Sequence, residues 1–282
     1  MNLLDGRIGF MQGRLSSMID GKIQAFPWNS WRDEFFIARA LRIQLMEWTL
    51  DQENLYENPL MTEVGRAEIR ALCVDNSIQI PSLTGDCFMQ TPFWKATGVA
   101  RIELEKDFIA VAKCCSELGM LILVVPLVDN GRLDDIEQEN ELIQFLESQE
   151  NFFLLNNIKL AFESDFSPIE LTRFIKRLNP AVFGINYDIG NSAALGFDPK
   201  EEFNEYGNRI INVHVKDRKL GGTTVPLGDG DARFDIVFSE LSQLRYKGNF
   251  ILQTARAVDQ GHVEVLSKFR DQTVNWLKQY VA

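Results

Sequence analysis

The stretch Val182-Phe-Gly-Ile-Asn-Tyr-Asp188-Ile-Gly-Asn191 and the later segment Ile210-Ile-Asn-Val-His214-Val-Lys216-Asp217-Arg218 decide how this chain folds. Each is a short apolar run that ends in polar groups. The first closes on Asp188, and the second alternates so that His214, Lys216 and Arg218 share one face. Core packing alone explains neither ending. They read as two consecutive buried strands whose C-terminal ends form the floor of a site.

Working outward, strands of the same kind are expected at Arg7–Gln12, Leu45–Thr49, Ile78–Thr84, Leu121–Leu127, Ile158–Glu163 and Phe250–Gln253, which makes eight with the two above. Helix-period segments separate them. Leu104, Phe108, Val111, Cys115 and Leu118 recur at steps of four and three, as do Leu171, Phe174, Ile175 and Leu178. Near-continuous apolar strands alternating with helices indicate a parallel sheet covered on its outside. Eight such units in 282 residues match a (β/α)8 TIM barrel of about 250 residues. We therefore read residues 1–282 as a single α/β barrel domain. The last helix, with Leu266, Phe269, Thr273, Trp276, Leu277 and Tyr280 on one stripe, is expected to close the ring against the first unit. A doubly wound open sheet competes, but no GxGxxG follows the first strand and no P-loop occurs.

With 29 basic and 40 acidic residues the net charge is −11, which repels nucleic acid and anionic membranes and leaves a small solute as the expected ligand. The longest strongly apolar run, Met120 to Val128, is too short to span a bilayer and contains Pro126. Asp5 and Arg7 interrupt any secretory signal, so a cytoplasmic location is expected. Cys73, Cys87, Cys114 and Cys115 lack zinc-type spacing and read as reduced thiols.

In a barrel the reactive groups sit where strands end. Those ends supply Gln12 and Arg14, Glu47, Asp86, Asp129, Glu163, Asp188 and Asn191, then His214, Lys216 and Arg218, and finally Gln253 and Arg256. Glu163, Asp188, His214 and Gln253 come from four successive strands and can converge on one spot. Two carboxylates, an imidazole and an amide oxygen suit a divalent metal ion, Mn²⁺, Co²⁺, Mg²⁺ or Zn²⁺. The same four groups also suit a structural hydrogen-bond network. Lys216 and Arg218 either neutralise an anionic substrate or enediolate oxygen, or pair with Asp217, Asp86 or Glu47. The loop Gly221-Gly222 to Phe234 either cradles a phosphate with backbone N–H groups or is a lid or connector. Phe26, Trp28, Trp31, Trp48, Phe88, Phe93 and Trp94 lie near the mouth. They stack on a sugar's C–H face or anchor their loops. His262, early in the last helix, is expected at the surface.

At Glu163, Tyr187-Asp188-Ile-Gly-Asn191, Val213-His214-Val-Lys216-Asp217 and Pro226-Leu-Gly228-Asp-Gly230-Asp the chain resembles the xylose isomerase-like TIM-barrel superfamily, in its sugar phosphate isomerase/epimerase branch. The resemblance spans essentially the whole chain. It implies a divalent metal held by carboxylates on strands 5, 6 and 8 and a histidine on strand 7, matched here by Glu163, Asp188 and His214. Two positions depart. Gln253 stands where the family has a glutamate, and Asn191 where many epimerases have a histidine. An amide can offer oxygen to a metal but cannot carry a proton.

The family epimerases are understood to work with two glutamates on opposite faces of a metal-stabilised enediolate. Only Glu163 remains, so it is expected to act as the base alone, or with Glu47 or Lys216 standing in for the second group. The expected activity is isomerisation or epimerisation of a small sugar or sugar phosphate. A dehydratase on the same scaffold and a non-catalytic sugar- or metabolite-binding barrel are the alternatives. Gln12, Arg14, Asp86, Asn191, Trp28, Gly221, Gly222 and Arg256 are expected to bind substrate. The superfamily's nuclease branch is excluded, because its multi-zinc site needs more than the two histidines present. No nucleic acid or membrane partner is expected, and a homo-oligomer is compatible with this reading.

Overall fold

The computed structural model describes residues 5–259 and 261–280. In chain order the elements are β1 (Ile8–Met11), α1 (Asp33–Ala40), β2 (Leu45–Thr49), α2 (Glu63–Asn76), β3 (Gln79–Thr84), α3 (Asp86–Gln90), α4 (Gly98–Leu118), β4 (Ile122–Leu127), α5 (Ile136–Leu155) and β5 (Lys159–Ser164). They continue with α6 (Pro168–Ile175), β6 (Phe183–Asp188), α7 (Ile189–Leu195), α8 (Pro199–Tyr206), β7 (Ile210–Val215), β8 (Asp217–Arg218), β9 (Thr224–Val225), α9 (Phe234–Gln243), β10 (Phe250–Leu252) and α10 (His262–Tyr280). β1 to β7 and β10 pair in parallel around a closed ring, in the order β1-β10-β7-β6-β5-β4-β3-β2. All eight expected strands are present, and the fold is the (β/α)8 barrel.

Burial explains why these runs are strands. Every residue of β1, β2 and β6 is buried, because a parallel strand in a barrel packs on side chains inside and on helices outside. The helices bury single stripes in return. α4 turns Phe108, Val111 and Cys115 inward, as their spacing predicts, and Phe108 meets Phe88, Phe93, Phe145 and Phe153 at centroid distances of 4.4 to 6.3 Å. α10 buries Leu266, Phe269, Thr273 and Leu277, and it packs on β1, β10 and α9, so it does close the ring. His262 differs from expectation. It is buried at the start of α10, where its Nδ1 accepts the Ala257 N–H at 3.3 Å. No helix of the described residues is long and apolar enough to cross a membrane.

Three elements at the mouth were not evident from periodicity: the short helices α3 and α7 and the hairpin β8–β9. Each is too short to show a period, and side chains tie two of them down. Asp188 ends β6 and also caps α7, its Oδ1 accepting the Asn191 N–H at 2.8 Å. Asp217, fully buried in β8, accepts N–H groups from Gly228 (2.8 Å), Gly230 (2.9 Å) and Ala232 (3.1 Å). One carboxylate therefore gathers the loop after β9 beneath Lys216 and Arg218. Asp217→Ala is expected to lower the unfolding free energy by about 2–3 kcal/mol and to speed deuterium exchange at the amides of Gly228, Gly230 and Ala232. Unchanged exchange there would show that this tie does not hold the loop.

Candidate active site at the barrel mouth

At the C-terminal end of the barrel a cavity of about 480 Å³ is lined by Glu163, Asn191, Lys216, Arg218, Gln253 and Asp86, among others. Beneath this floor the ring of His214 is fully buried between two carboxylates. Its Nε2 lies 2.7 Å from Glu47 Oε1 and its Nδ1 lies 3.1 Å from Glu163 Oε2. An ionised carboxylate only accepts, so Nε2 carries a proton toward Glu47. Glu47 also accepts from Ser82 Oγ (2.6 Å), Thr84 Oγ1 (2.6 Å) and Asn212 Nδ2 (2.9 Å). Glu163 is held by Asn186 Nδ2 (2.7 Å) and Asn191 Nδ2 (2.6 Å). Lys216 Nζ completes the floor, 3.3 Å from Asp188 Oδ2, 3.3 Å from Gln253 Oε1 and 3.1 Å from Asn191 Oδ1. Arg218 Nη1 donates to the same Asn191 oxygen at 2.9 Å.

These contacts set the protonation pattern. Burial works against charge on His214, but Glu47 and Glu163 outweigh it and raise its pKa to about 10. Burial likewise pushes Glu47 and Glu163 up, yet both are held below the ordinary carboxylate range. His214 and two hydroxyl groups do this for Glu47; His214, Lys216 and Asn186 do it for Glu163. Asp188 goes the other way, raised by burial and by Glu163 beside it against the opposing pull of Lys216 and His214. Asp86 is raised to about 7, by burial first and then by Asp51 and Glu163, although Gln24 Nε2 donates to it at 2.6 Å.

Glu163, Asp188 and His214 each offer one ligand atom, all within 4.8 Å of one another. Two carboxylates and an imidazole whose far nitrogen is fixed by a buried glutamate form a donor set suited to a divalent ion. These residues fit the metal expected from sequence, and the Gln253 amide oxygen lies 3.3 Å from the Lys216 ammonium, which also contacts Asp188.

Several other expected roles are not what the structure shows. Glu47 is sealed below His214, so it orients the ring and cannot stand in as a second base in the cavity. Arg14 donates to the carbonyls of Thr254 (3.0 Å) and Ile23 (2.8 Å), and Arg256 to those of Gly13 and Ser16. Both lock the loop after β1. Gln12 is buried against Thr49, its Oε1 accepting the Thr49 N–H at 3.2 Å. Gly221 and Gly222 spend their N–H groups on Ala194 O (2.8 Å) and Lys219 O (2.7 Å), so they form no phosphate cradle. Trp28 lines a neighbouring depression with Asp51 and Glu53. Phe26, Trp31 and Trp48 pack on one another at 5.4 to 6.4 Å and anchor the loops.

Asn186, Asn212 and Gln24 were not anticipated. Period-two alternation holds a signal for the first two, which precede Asp188 and His214 by two residues and so share their faces. Gln24 has none. It lies in an irregular loop, where it accepts from Gln253 Nε2 at 2.9 Å and donates to Asp86.

The family model described as "Xylose isomerase-like TIM barrel" matches residues 36–278. An L-ribulose-5-phosphate 3-epimerase of Escherichia coli is 22% identical over 261 residues, covering 89% of this chain and 90% of the relative. An inosose dehydratase of Clostridium tetani is 25% identical over 207 residues, 62% of this chain and 69% of the relative. Among solved structures, D-psicose 3-epimerase with D-tagatose from Clostridium cellulolyticum H10 superimposes with TM-score 0.73 at 10% identity, covering 98% of this chain and 99% of that one. The IolI protein with a bound zinc atom superimposes with TM-score 0.77 at 14% identity, covering 97% and 99%.

The histidine clamp makes stability depend on pH. His214 has a folded pKa of about 10 against an ordinary value of 6.5. Its contribution is therefore complete below pH 6.5 and is lost as pH rises through 10. In chelator, the unfolding free energy is expected to fall by a few kcal/mol across that window. His214→Gln should start lower and lose most of that slope. An equally steep fall in the variant would locate the titration elsewhere.

Proposed function

Because the chain belongs to the xylose isomerase-like TIM-barrel family, we propose that it isomerises or epimerises a small sugar or sugar phosphate, with Glu163 as the base that removes the proton beside the substrate carbonyl. One observation carries this reading. Glu163 lies on the floor of the cavity, is aimed by Asn186 and Asn191, and is held ionised beside His214 and Lys216. The E. coli relative, an L-ribulose-5-phosphate 3-epimerase, and the sugar epimerase fold support the substrate class.

A divalent ion bound by Glu163, Asp188 and His214 would supply a Lewis acid that polarises the carbonyl. The chain's own residues do the rest. Glu163 takes the proton. Lys216 and Arg218, both lining the cavity, stabilise the enediolate oxygen or hold a phosphate. Gln253 cannot return a proton, but Asp86 lines the same cavity, and with a pKa of about 7 it exchanges protons at neutral pH. Asp86 therefore replaces Glu47 as the second proton carrier. The Clostridium tetani relative supports a second reading, in which the same proton abstraction is followed by loss of a hydroxyl group.

Ketoses, aldoses and their phosphates incubated in D₂O with Mn²⁺, Co²⁺ or Mg²⁺ test the assignment. Glu163→Gln is expected to cut both turnover and deuterium incorporation by about 10²-fold or more. Asp86→Asn should suppress epimerisation while leaving the Glu163-side hydrogen exchangeable. Incorporation that survives Glu163→Gln would remove Glu163 from the role of base, and a dehydrated product would favour the second reading.

A further inference from the structure

The floor of the site carries a positive charge of its own, placed where a metal ion would draw on the same oxygens. Lys216 Nζ is 3.3 Å from Asp188 Oδ2 and 3.3 Å from Gln253 Oε1, so it uses one expected ligand and the amide oxygen that completes the expected set. Its third partner is the Asn191 oxygen, at 3.1 Å. The position is built. The Lys216 stem lies against Gly190, where an added Cβ would come within 2.7 Å of Lys216 Cγ and 3.0 Å of its Cβ, so any other residue at 190 would displace the stem. The Lys216 side chain is only 14% exposed.

The charge count points the same way. Glu163 and Asp188 face the ammonium of Lys216, with Arg218 reaching Asn191 beside them. A third carboxylate at position 253 would keep the floor negative with Lys216 in place. Glutamine does not. A divalent ion approaching Asp188 and Gln253 would be repelled by this unit positive charge on the same oxygens.

We propose that Lys216 is a built-in competitor for the divalent ion: its ammonium group holds Asp188 and Gln253 in the metal-free barrel, and an ion takes full hold only when Lys216 swings away. The inference rests on the metal-binding reading of Glu163, Asp188 and His214, and it adds that this chain sets its metal affinity through a residue that is not a ligand.

Mn²⁺ titration of the purified, metal-stripped protein, followed by loss of the free-ion EPR signal, tests it without any substrate. Lys216→Met is expected to bind Mn²⁺ at least about tenfold more tightly than the parent, while Lys216→Arg, which keeps the charge, stays within a few-fold of it. In chelator, Lys216→Met should also melt at a lower temperature than the parent, because Asp188 loses its counter-charge, and Mn²⁺ should raise its melting temperature by more. Binding by Lys216→Met alone supports the proposal in its strongest form, a complete replacement of ion by ammonium. Affinities equal within twofold in all three proteins overturn the proposal and leave the metal reading standing. Absence of binding in all three, with circular dichroism showing them folded, overturns both.

Discussion

The imidazole of His214, buried between Glu47 and Glu163, is the interaction on which the rest of the site depends. A protonated ring between two carboxylates is tolerable in a barrel core only if each remaining oxygen has a donor. Ser82, Thr84 and Asn212 meet that need for Glu47, and Asn186 and Asn191 meet it for Glu163. Residues from β2, β3, β5, β6, α7 and β7 thus belong to one network. The same network fixes the ring so that Nδ1 faces Glu163 and Asp188. Once Nδ1 gives up its proton, the same arrangement offers a ligand nitrogen beside two carboxylates.

Two layers follow. The lower one, with Glu47, Asn212 and the buried ring, is closed and orients the groups above it. The upper one, with Glu163, Asn191, Lys216, Arg218, Gln253 and Asp86, opens on the cavity. Asn191 links them. Its backbone N–H goes to Asp188, its amide N–H to Glu163, and its oxygen receives Lys216 and Arg218. A histidine could not make all of these contacts at once. The lysine ammonium rests on both departures from the family pattern, Asn191 and Gln253, as well as on Asp188.

The barrel and the set Glu163, Asp188, His214 were legible in the sequence because both follow from periodicity. Apolar strands of regular spacing force a closed parallel ring, and the last polar residue of each strand then points to the mouth. Asn186 and Asn212 carried the same period-two signal two residues earlier. Arg14 and Arg256 were read toward substrate because they follow strand ends, yet burial turns them onto backbone carbonyls that would otherwise lack partners. The loop opening on Gly221 and Gly222 suits either a phosphate cradle or a lid or connector by its place after the seventh strand, but N–H groups serve a cradle only if no carbonyl of the protein takes them. Gln24 lies outside any pattern, since a loop residue's direction is set by the surfaces it meets.

The sequence by itself determined the eight-strand barrel and which strands deliver the two carboxylates and the imidazole, since strand period and chain order constrain these without knowledge of distances, and its motifs carried the resemblance to the family. Only the tertiary structure decided that Glu47 lies beneath the site, that Asp86 shares the cavity with Glu163, and that Lys216 rests on Asp188 and Gln253. The residues concerned lie 28 to 167 positions apart in the chain. Their electrostatics depend on burial and on separations of a few ångströms, and local sequence carries no record of either.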